Sequence, residues 1–168
     1  MIPTFSERNL LFVGAVLCVI AAWFTIGYHH PDEHFQILEF ANYKLGRIPA
    51  SDLPWEFPAK IRPGLQPFLA YGTILSADAV GISNPFIQVF LMRLLCAFAA
   101  LFVYWKWSKW LMRDLKNATS LYWMRFGLLF FWLMPYLNVR FTSENTSAIC
   151  FFGGLLLLVQ SIEDQKSG

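Results

Sequence analysis

Mainly apolar runs alternate with short charged segments along this chain of 168 residues. The first run, Leu10 to Tyr28, contains no charged side chain, and three others follow: Pro85 to Trp105, Leu121 to Val139 and Thr146 to Ile162. About 20 helical residues are needed to cross the hydrocarbon core of a bilayer. The pattern therefore predicts four transmembrane helices, 10–28, 85–105, 121–139 and 146–162, in an all-α, multi-spanning membrane protein.

A fifth apolar run, Leu65 to Ile82, is less suited to crossing a membrane because it carries Pro67 and Asp78. Proline interrupts the hydrogen bonding of a helix interior, and a carboxylate is costly in hydrocarbon. We expect this run to be a juxtamembrane or re-entrant piece of a long loop, 29–84.

The charges between the runs indicate the orientation of the chain. The connector 106–120 and the start of the next run hold five basic residues and one acid, namely Lys106, Lys109, Arg113, Lys116 and Arg125 against Asp114. Cytoplasmic loops carry an excess of Lys and Arg, so we expect the connector inside and the loop 29–84, which has no basic excess, outside. If Leu65 to Ile82 does not cross, both termini are cytoplasmic and the turn 140–145 is external.

The composition, with 57% apolar and 18% aromatic residues, indicates a membrane chain rather than a soluble domain. The net charge of +2 is too small and scattered to suggest nucleic acid as a partner. Cys18, Cys96 and Cys150 lie in apolar runs and are expected to pack as small hydrophobic residues. Four helices make a thin bundle, so we interpret residues 1–168 as a single membrane domain, the N-terminal portion of a larger protein.

The segment His30 to Gln36 holds the first candidate chemistry, because it follows the first apolar run closely. Pro31 fits the first position of a helix, and Gly46 fits its end. Asp32 and Glu33 then lie in the first turn, where acids complement the helix dipole. The alternative is that one carboxylate is a general base at the depth of the lipid headgroups. His30 and His34 fit a phosphate, a metal or simple interfacial packing.

Basic residues near the membrane surface are the other candidates. Lys60 and Arg62 fit either snorkelling toward headgroups or phosphate binding. Arg93, inside a predicted span, is expected to pair with a backbone carbonyl or Asp78 rather than with substrate. The segment Arg140 to Asn145 gathers two charged and three uncharged hydrogen-bonding side chains. A plain turn needs no such set, which favours a functional role.

These motifs together resemble the dolichol-dependent mannosyltransferases of glycosyltransferase family 22. The resemblance rests on the order of several short motifs along the chain: His30-Pro31-Asp32-Glu33 with Phe35-Gln36 and Glu39, then Trp55-Glu56, then Ile61-Arg62-Pro63 and Pro67. The segment 140–145 is similar to the family's second signature, an Arg-Thr-x-Ser-Asn-type turn, although here Glu144 precedes Asn145. The resemblance covers nearly the whole chain.

The resemblance implies a GT-C fold with an external active site and an inverting transfer of mannose. Asp32 would be the base and Glu33 its orienting partner. His30, Arg62 and Arg140 would bind the departing lipid phosphate, and Glu144 and Asn145 would contribute to substrate binding. No nucleotide cofactor and no metal are expected.

The implied partners are a polyprenyl- or dolichyl-phosphate sugar donor, a glycan or glycolipid acceptor and the bilayer. The membrane would be that of the endoplasmic reticulum in a eukaryote or the cytoplasmic membrane in a bacterium. Two alternatives stay open: a transporter or assembly subunit without enzymatic activity, and another GT-C enzyme such as an aminoarabinose or oligosaccharyl transferase. Transporters place ionisable residues near the midplane of the membrane, whereas the acids here cluster at one interface.

Overall fold

The computed structural model describes residues 6–25, 27, 30–113, 117–131 and 133–167. Its elements in this part of the chain are helical, with no strand, which confirms the predicted all-α class. The α-helices are α1 (Glu7–Phe24), α2 (Glu39–Lys44), α3 (Glu56–Ala59), α4 (Leu65–Ala79), α5 (Pro85–Leu111), α6 (Ala118–Phe130), α7 (Met134–Asn138) and α8 (Ser143–Ser167). A π-helical turn, Glu33–Leu38, directly precedes α2, and a 3-10 turn covers Ala50–Asp52.

Within the described part of the chain, three helices are long and apolar enough to cross a membrane: α1, α5 and the Ser143–Gln165 part of α8. They confirm that the chain is a membrane protein. The predicted span 121–139 falls on two helices, α6 and α7, and Pro135 lies in the first turn of α7. Whether that segment crosses, and whether Leu65 to Ile82 stays outside, remain predictions.

Some predicted boundaries fall on residues that the structure does not describe. Tyr28 and His29, where the first predicted span ends and the external loop begins, lie outside the described residues. The same is true of Asp114 and Lys116, which are two of the charges counted in the connector.

The main core forms around one face of α1. Its buried residues, Leu10, Gly14, Cys18 and Ala22, are spaced four apart and therefore lie on one side of the helix. This side packs against α5, α6 and α7. Gly14 lies close to Leu129, whose Cδ2 would be 3.5 Å from a Cβ added at the glycine. Small residues of this kind let membrane helices approach each other closely.

A second core holds the helix that carries the His30 to Gln36 segment. The chain is helical over 31–44, and Gly46 follows with a φ of +71°, so the predicted helix is confirmed. Ile37 and Ala41 from this helix pack against buried residues of α4 and α5, namely Ala70, Ile74 and Met92. This packing anchors the helix beside α4 and next to the first turns of α5.

Candidate active site

Asp32 lies just before the π-helical turn, and the side chain of Gln36 holds its carboxylate. The Nε2 of Gln36 donates to Asp32 Oδ1 at 2.9 Å and is 3.2 Å from Glu56 Oε1. His30 Nδ1 accepts a hydrogen bond from the backbone N–H of Asp32 at 3.4 Å and also lies 3.4 Å from the same carboxylate oxygen. The side chain of Asp32 is 33% exposed. This carboxylate is therefore fixed in orientation but accessible.

Arg62 joins two carboxylates at the same place. Its Nη2 is 3.5 Å from Glu56 Oε1 and 3.8 Å from Asp32 Oδ2. Glu56 is nearly buried and begins the short helix α3, so it provides a fixed anchor for the guanidinium. We call the four side chains of Asp32, Gln36, Glu56 and Arg62 the Asp32 cluster. Two acids and one guanidinium leave this cluster with a net negative charge, which suits a proton acceptor.

Glu33 points away from the Asp32 cluster, since neighbouring residues of a helix are rotated by about 100°. Its Oε2 is 3.6 Å from Arg140 Nη1, and the two side chains are only 9% and 5% exposed. Arg140 also donates to the hydroxyl of Tyr136 at 2.7 Å, and its Cζ lies 4.5 Å from the centre of that ring. We call this arrangement of Glu33, Tyr136 and Arg140 the Glu33 brace.

Arg93 fixes the segment that leads into the site. Its guanidinium donates to the carbonyl oxygens of Thr25 and Gly27, each at 2.6 Å, and to that of Ala22 at 3.4 Å. These carbonyls belong to the end of α1 and the residues after it, where a helix leaves carbonyl groups unpaired. The predicted pairing of Arg93 with backbone carbonyls is confirmed, whereas Asp78 bonds to a different arginine.

An apolar cavity of about 380 Å³ opens between the end of α1, the start of α5 and the π-helical turn. Its walls are mainly hydrophobic, and Glu33, His34 and Arg93 supply its charged and polar groups. The exposed aromatic side chains of Trp23 and Phe86 stand at its edge. The cavity therefore combines an apolar interior with a few polar groups, which is typical of ligand sites.

The segment 140–145 contributes unequally to this region. Ser143, Glu144 and Asn145 form the first turn of α8. The Nδ2 of Asn145 donates to the carbonyl oxygen of Arg140 at 2.7 Å and so fixes the backbone of one member of the Glu33 brace. Glu144 is exposed and is not brought into either group of residues.

The structure thus divides the predicted site residues into two groups. His30, Asp32 and Arg62 come together, and Glu33 lies with Arg140. Sequence reasoning missed Gln36, Glu56 and Tyr136 as members of these groups. Gln36 and Glu56 stand within the motifs that carry the family resemblance, but only the fold shows that they share a contact 20 residues apart in the chain. Tyr136 lies in α7, but Arg140 lies two residues beyond the end of that helix, so their contact depends on the turn that follows α7.

No group of three or more His, Cys, Asp or Glu side chains in the described residues is arranged to hold a metal ion. A model of the Alg9-like mannosyltransferase family matches residues 10–167, a range that includes both groups of site residues. No curated protein and no solved structure matches the chain.

Proposed function

The chain belongs to the Alg9-like mannosyltransferase family, and we propose that it transfers mannose from a polyprenyl- or dolichyl-phosphate donor to a glycan or glycolipid acceptor. The family assignment makes it a membrane glycosyltransferase that uses a lipid-linked sugar donor and a glycan acceptor in general. We propose the particular donor and acceptor, the inversion at the anomeric carbon and the identity of the base.

The observation that carries this proposal is the environment of Asp32. Its carboxylate is accessible, held by Gln36 and close to the guanidinium of Arg62. A base must reach the proton that it removes and keep a fixed orientation. Asp32 meets both conditions, and its position soon after the membrane-spanning helix α1 suits substrates that are attached to lipids.

In the proposed reaction, Asp32 accepts the proton of an acceptor hydroxyl while the hydroxyl oxygen attacks C1 of the donor mannose. The bond between C1 and the phosphate oxygen breaks, and the lipid phosphate leaves with the electron pair. A single displacement of this kind inverts the anomeric centre. The products are the extended acceptor and the free lipid phosphate, and the proton remains on Asp32 until it passes to solvent.

The departing phosphate needs positive charge nearby, because stabilising developing charge is usually a large part of catalysis. We assign this role to Arg62, with His30 beside it. Arg140 is nearly buried and faces Glu33, so in this proposal it positions the helix that carries Asp32. Glu33 orients Asp32 indirectly, through its pairing with Arg140. Asn145 supports Arg140, while Glu144 is placed at the outer edge, available to a bound substrate.

The apolar cavity beside Glu33 and Arg93 fits isoprene units of the donor lipid tail, because its walls are hydrophobic and exposed apolar side chains of α1 and α5 adjoin it. We place the site on the non-cytoplasmic side of the membrane. This is the lumenal face of the endoplasmic reticulum membrane in a eukaryote, or the periplasmic face of the cytoplasmic membrane in a bacterium. The opposite position of the basic connector supports this orientation.

The test is a transfer assay on membranes that contain the full-length protein. Radiolabelled polyprenyl-phosphate-mannose is supplied to the wild type, to Asp32→Asn and to a matched control, Asp52→Asn. Asp52 lies in the same loop, is exposed and bonds to its neighbour Ser51. We expect Asp32→Asn to lose transfer by about 10²- to 10⁴-fold, with normal membrane insertion, and Asp52→Asn to match the wild type. Full activity of Asp32→Asn would remove Asp32 as the base.

A further inference from the structure

A second cavity, of about 550 Å³, adjoins the Asp32 cluster. It shares no lining residue with the apolar cavity that we assign to the donor lipid. Glu56 and Arg62 form part of its wall, so it reaches the groups that hold Asp32. We call it the basic cavity, because Lys44, Lys60 and Arg62 line it together with a single acid.

Four aromatic rings, together with Gly64 and Pro67, form the rest of the wall of the basic cavity. Phe40 and Phe57 meet edge to face at 5.2 Å, and Phe68 and Tyr71 stack at 6.4 Å. All four line the cavity. Aromatic faces are surfaces against which the C–H face of a sugar packs, and the volume lies within the usual range of ligand pockets. The cavity therefore suits a sugar ring, and its cations suit an anion attached to that ring.

Lys60 occupies its place in the cavity at a conformational cost. Its φ is +54°, and it is the one non-glycine residue with positive φ among the described residues. It ends α3 in the left-handed conformation, a position where glycine or asparagine is usual. Strained backbone that persists at a site is a reason to look for function there. A lysine at this position retains a cation that glycine would not supply.

The charges within the basic cavity are unevenly balanced. Its acid, Glu56, is already engaged with Gln36 and Arg62. Lys44 and Lys60 are both exposed, so each ammonium group is accessible to a ligand. A phosphate group provides enough negative charge and enough acceptor oxygens to bind more than one of these cations.

We propose that the basic cavity binds the acceptor and selects an acceptor sugar that carries a phosphate group, with Lys60 as the residue that determines this specificity. The inference rests on the proposed function, since it places the acceptor hydroxyl next to Asp32. The donor phosphate remains with Arg62, on the side of the cavity nearest the base. Lys44 and Lys60 bind the second phosphate, which belongs to the acceptor.

The experiment measures binding without turnover, so that it does not depend on the proposed reaction. The full-length protein is placed in nanodiscs of phosphatidylcholine, which lacks net charge. Isothermal titration compares octyl α-mannopyranoside with octyl α-mannopyranoside 6-phosphate. The variants are Lys60→Asn, which suits the left-handed conformation but lacks the charge, Lys60→Arg, which keeps the charge, and Lys106→Asn, which removes an exposed lysine near the far end of α5.

We expect the wild type to bind the phosphorylated mannoside about tenfold more tightly than the neutral one, as a charged hydrogen bond allows. Lys60→Asn should lose this preference and keep or raise the melting temperature, because asparagine relieves the strained position. Lys60→Arg and Lys106→Asn should keep the preference. Inorganic phosphate should compete weakly, because it lacks the sugar face.

Three results would overturn the inference. The first is equal binding of the two mannosides by the wild type. The second is an unchanged preference for the phosphorylated mannoside in Lys60→Asn. The third is that Lys60→Asn weakens the binding of polyprenyl phosphate but not that of the phosphorylated mannoside. The two proposals fail separately. Selective binding without mannose transfer would contradict the proposed function alone, and mannose transfer that depends on Asp32 without selective binding would contradict this inference alone.

Discussion

Asp32 and Glu33 are neighbours in the chain, yet the fold gives them opposite surroundings. Asp32 is one-third exposed and is held by an amide and the edge of a guanidinium. Glu33 is nearly buried against Arg140, which is itself nearly buried. The rotation of about 100° between consecutive helical residues is enough to separate them. One carboxylate is available to a substrate, and the other holds the helix in place.

This difference explains why two adjacent acids are useful at the same helix start. A base needs an accessible carboxylate, but accessible groups contribute little to fixing a helix. The Glu33 brace supplies the fixing through a buried pair. The loss of either residue should therefore have a distinct signature: lost catalysis for Asp32, and lost stability for Glu33 and Arg140.

The largest effect on stability is expected from Arg140→Ala. Removing one partner of a buried pair leaves the other charge buried alone, which costs about 3–5 kcal/mol. The free energy of unfolding, measured by denaturant titration in mixed micelles, should fall by that amount. Tyr136 and Glu33 would both lose a partner.

A double variant sharpens this prediction. Arg140→Met combined with Glu33→Leu removes both charges, and such replacements of a buried pair are often neutral or stabilising. The double variant should recover much of the stability lost in Arg140→Ala. If the double variant lost as much stability as the sum of its two single replacements, Glu33 and Arg140 would not act as a pair.

A smaller effect is expected from Arg93→Gln. The variant loses short hydrogen bonds to the carbonyls of Thr25 and Gly27, and hydrogen bonds of charged groups contribute about 1.5–3 kcal/mol. Stability and mannose transfer should both decline, because the segment before Asp32 and Glu33 is released. Arg93→Lys should restore part of the stability and part of the transfer activity, since lysine keeps the charge but lacks the two separate Nη groups that bond to the two carbonyls. Loss of transfer with unchanged stability would instead indicate direct contact of Arg93 with substrate.

Local patterns in the sequence were sufficient for several features of this site. The helix that starts at Pro31 and stops at Gly46 was predictable, because proline and glycine mark helix ends through their own backbone geometry. The carbonyl partners of Arg93 were also expected, since an arginine within a span needs acceptors nearby. The membrane class followed from the length of the apolar runs.

Long-range packing was not predictable in the same way. The contact of Gln36 with Glu56 depends on how α3 folds back onto the π-helical turn and α2. The division of 121–139 into α6 and α7 places Tyr136 next to Arg140, and hydropathy alone does not show this division. Hydropathy averages over a window, so it registers the apolar length but not the break near Pro135.

The division of roles between Asp32 and Glu33 is tested most directly by measuring Asp32→Asn and Glu33→Gln side by side. Mannose transfer and melting temperature are recorded on the same preparations of full-length protein, and transfer is expressed per folded molecule. We expect Asp32→Asn to lose about 10²- to 10⁴-fold in kcat with an unchanged melting temperature. Glu33→Gln should have a lower melting temperature and keep kcat within about tenfold of the wild type. Abolished turnover in a normally stable Glu33→Gln, with an active Asp32→Asn, would contradict this division of roles.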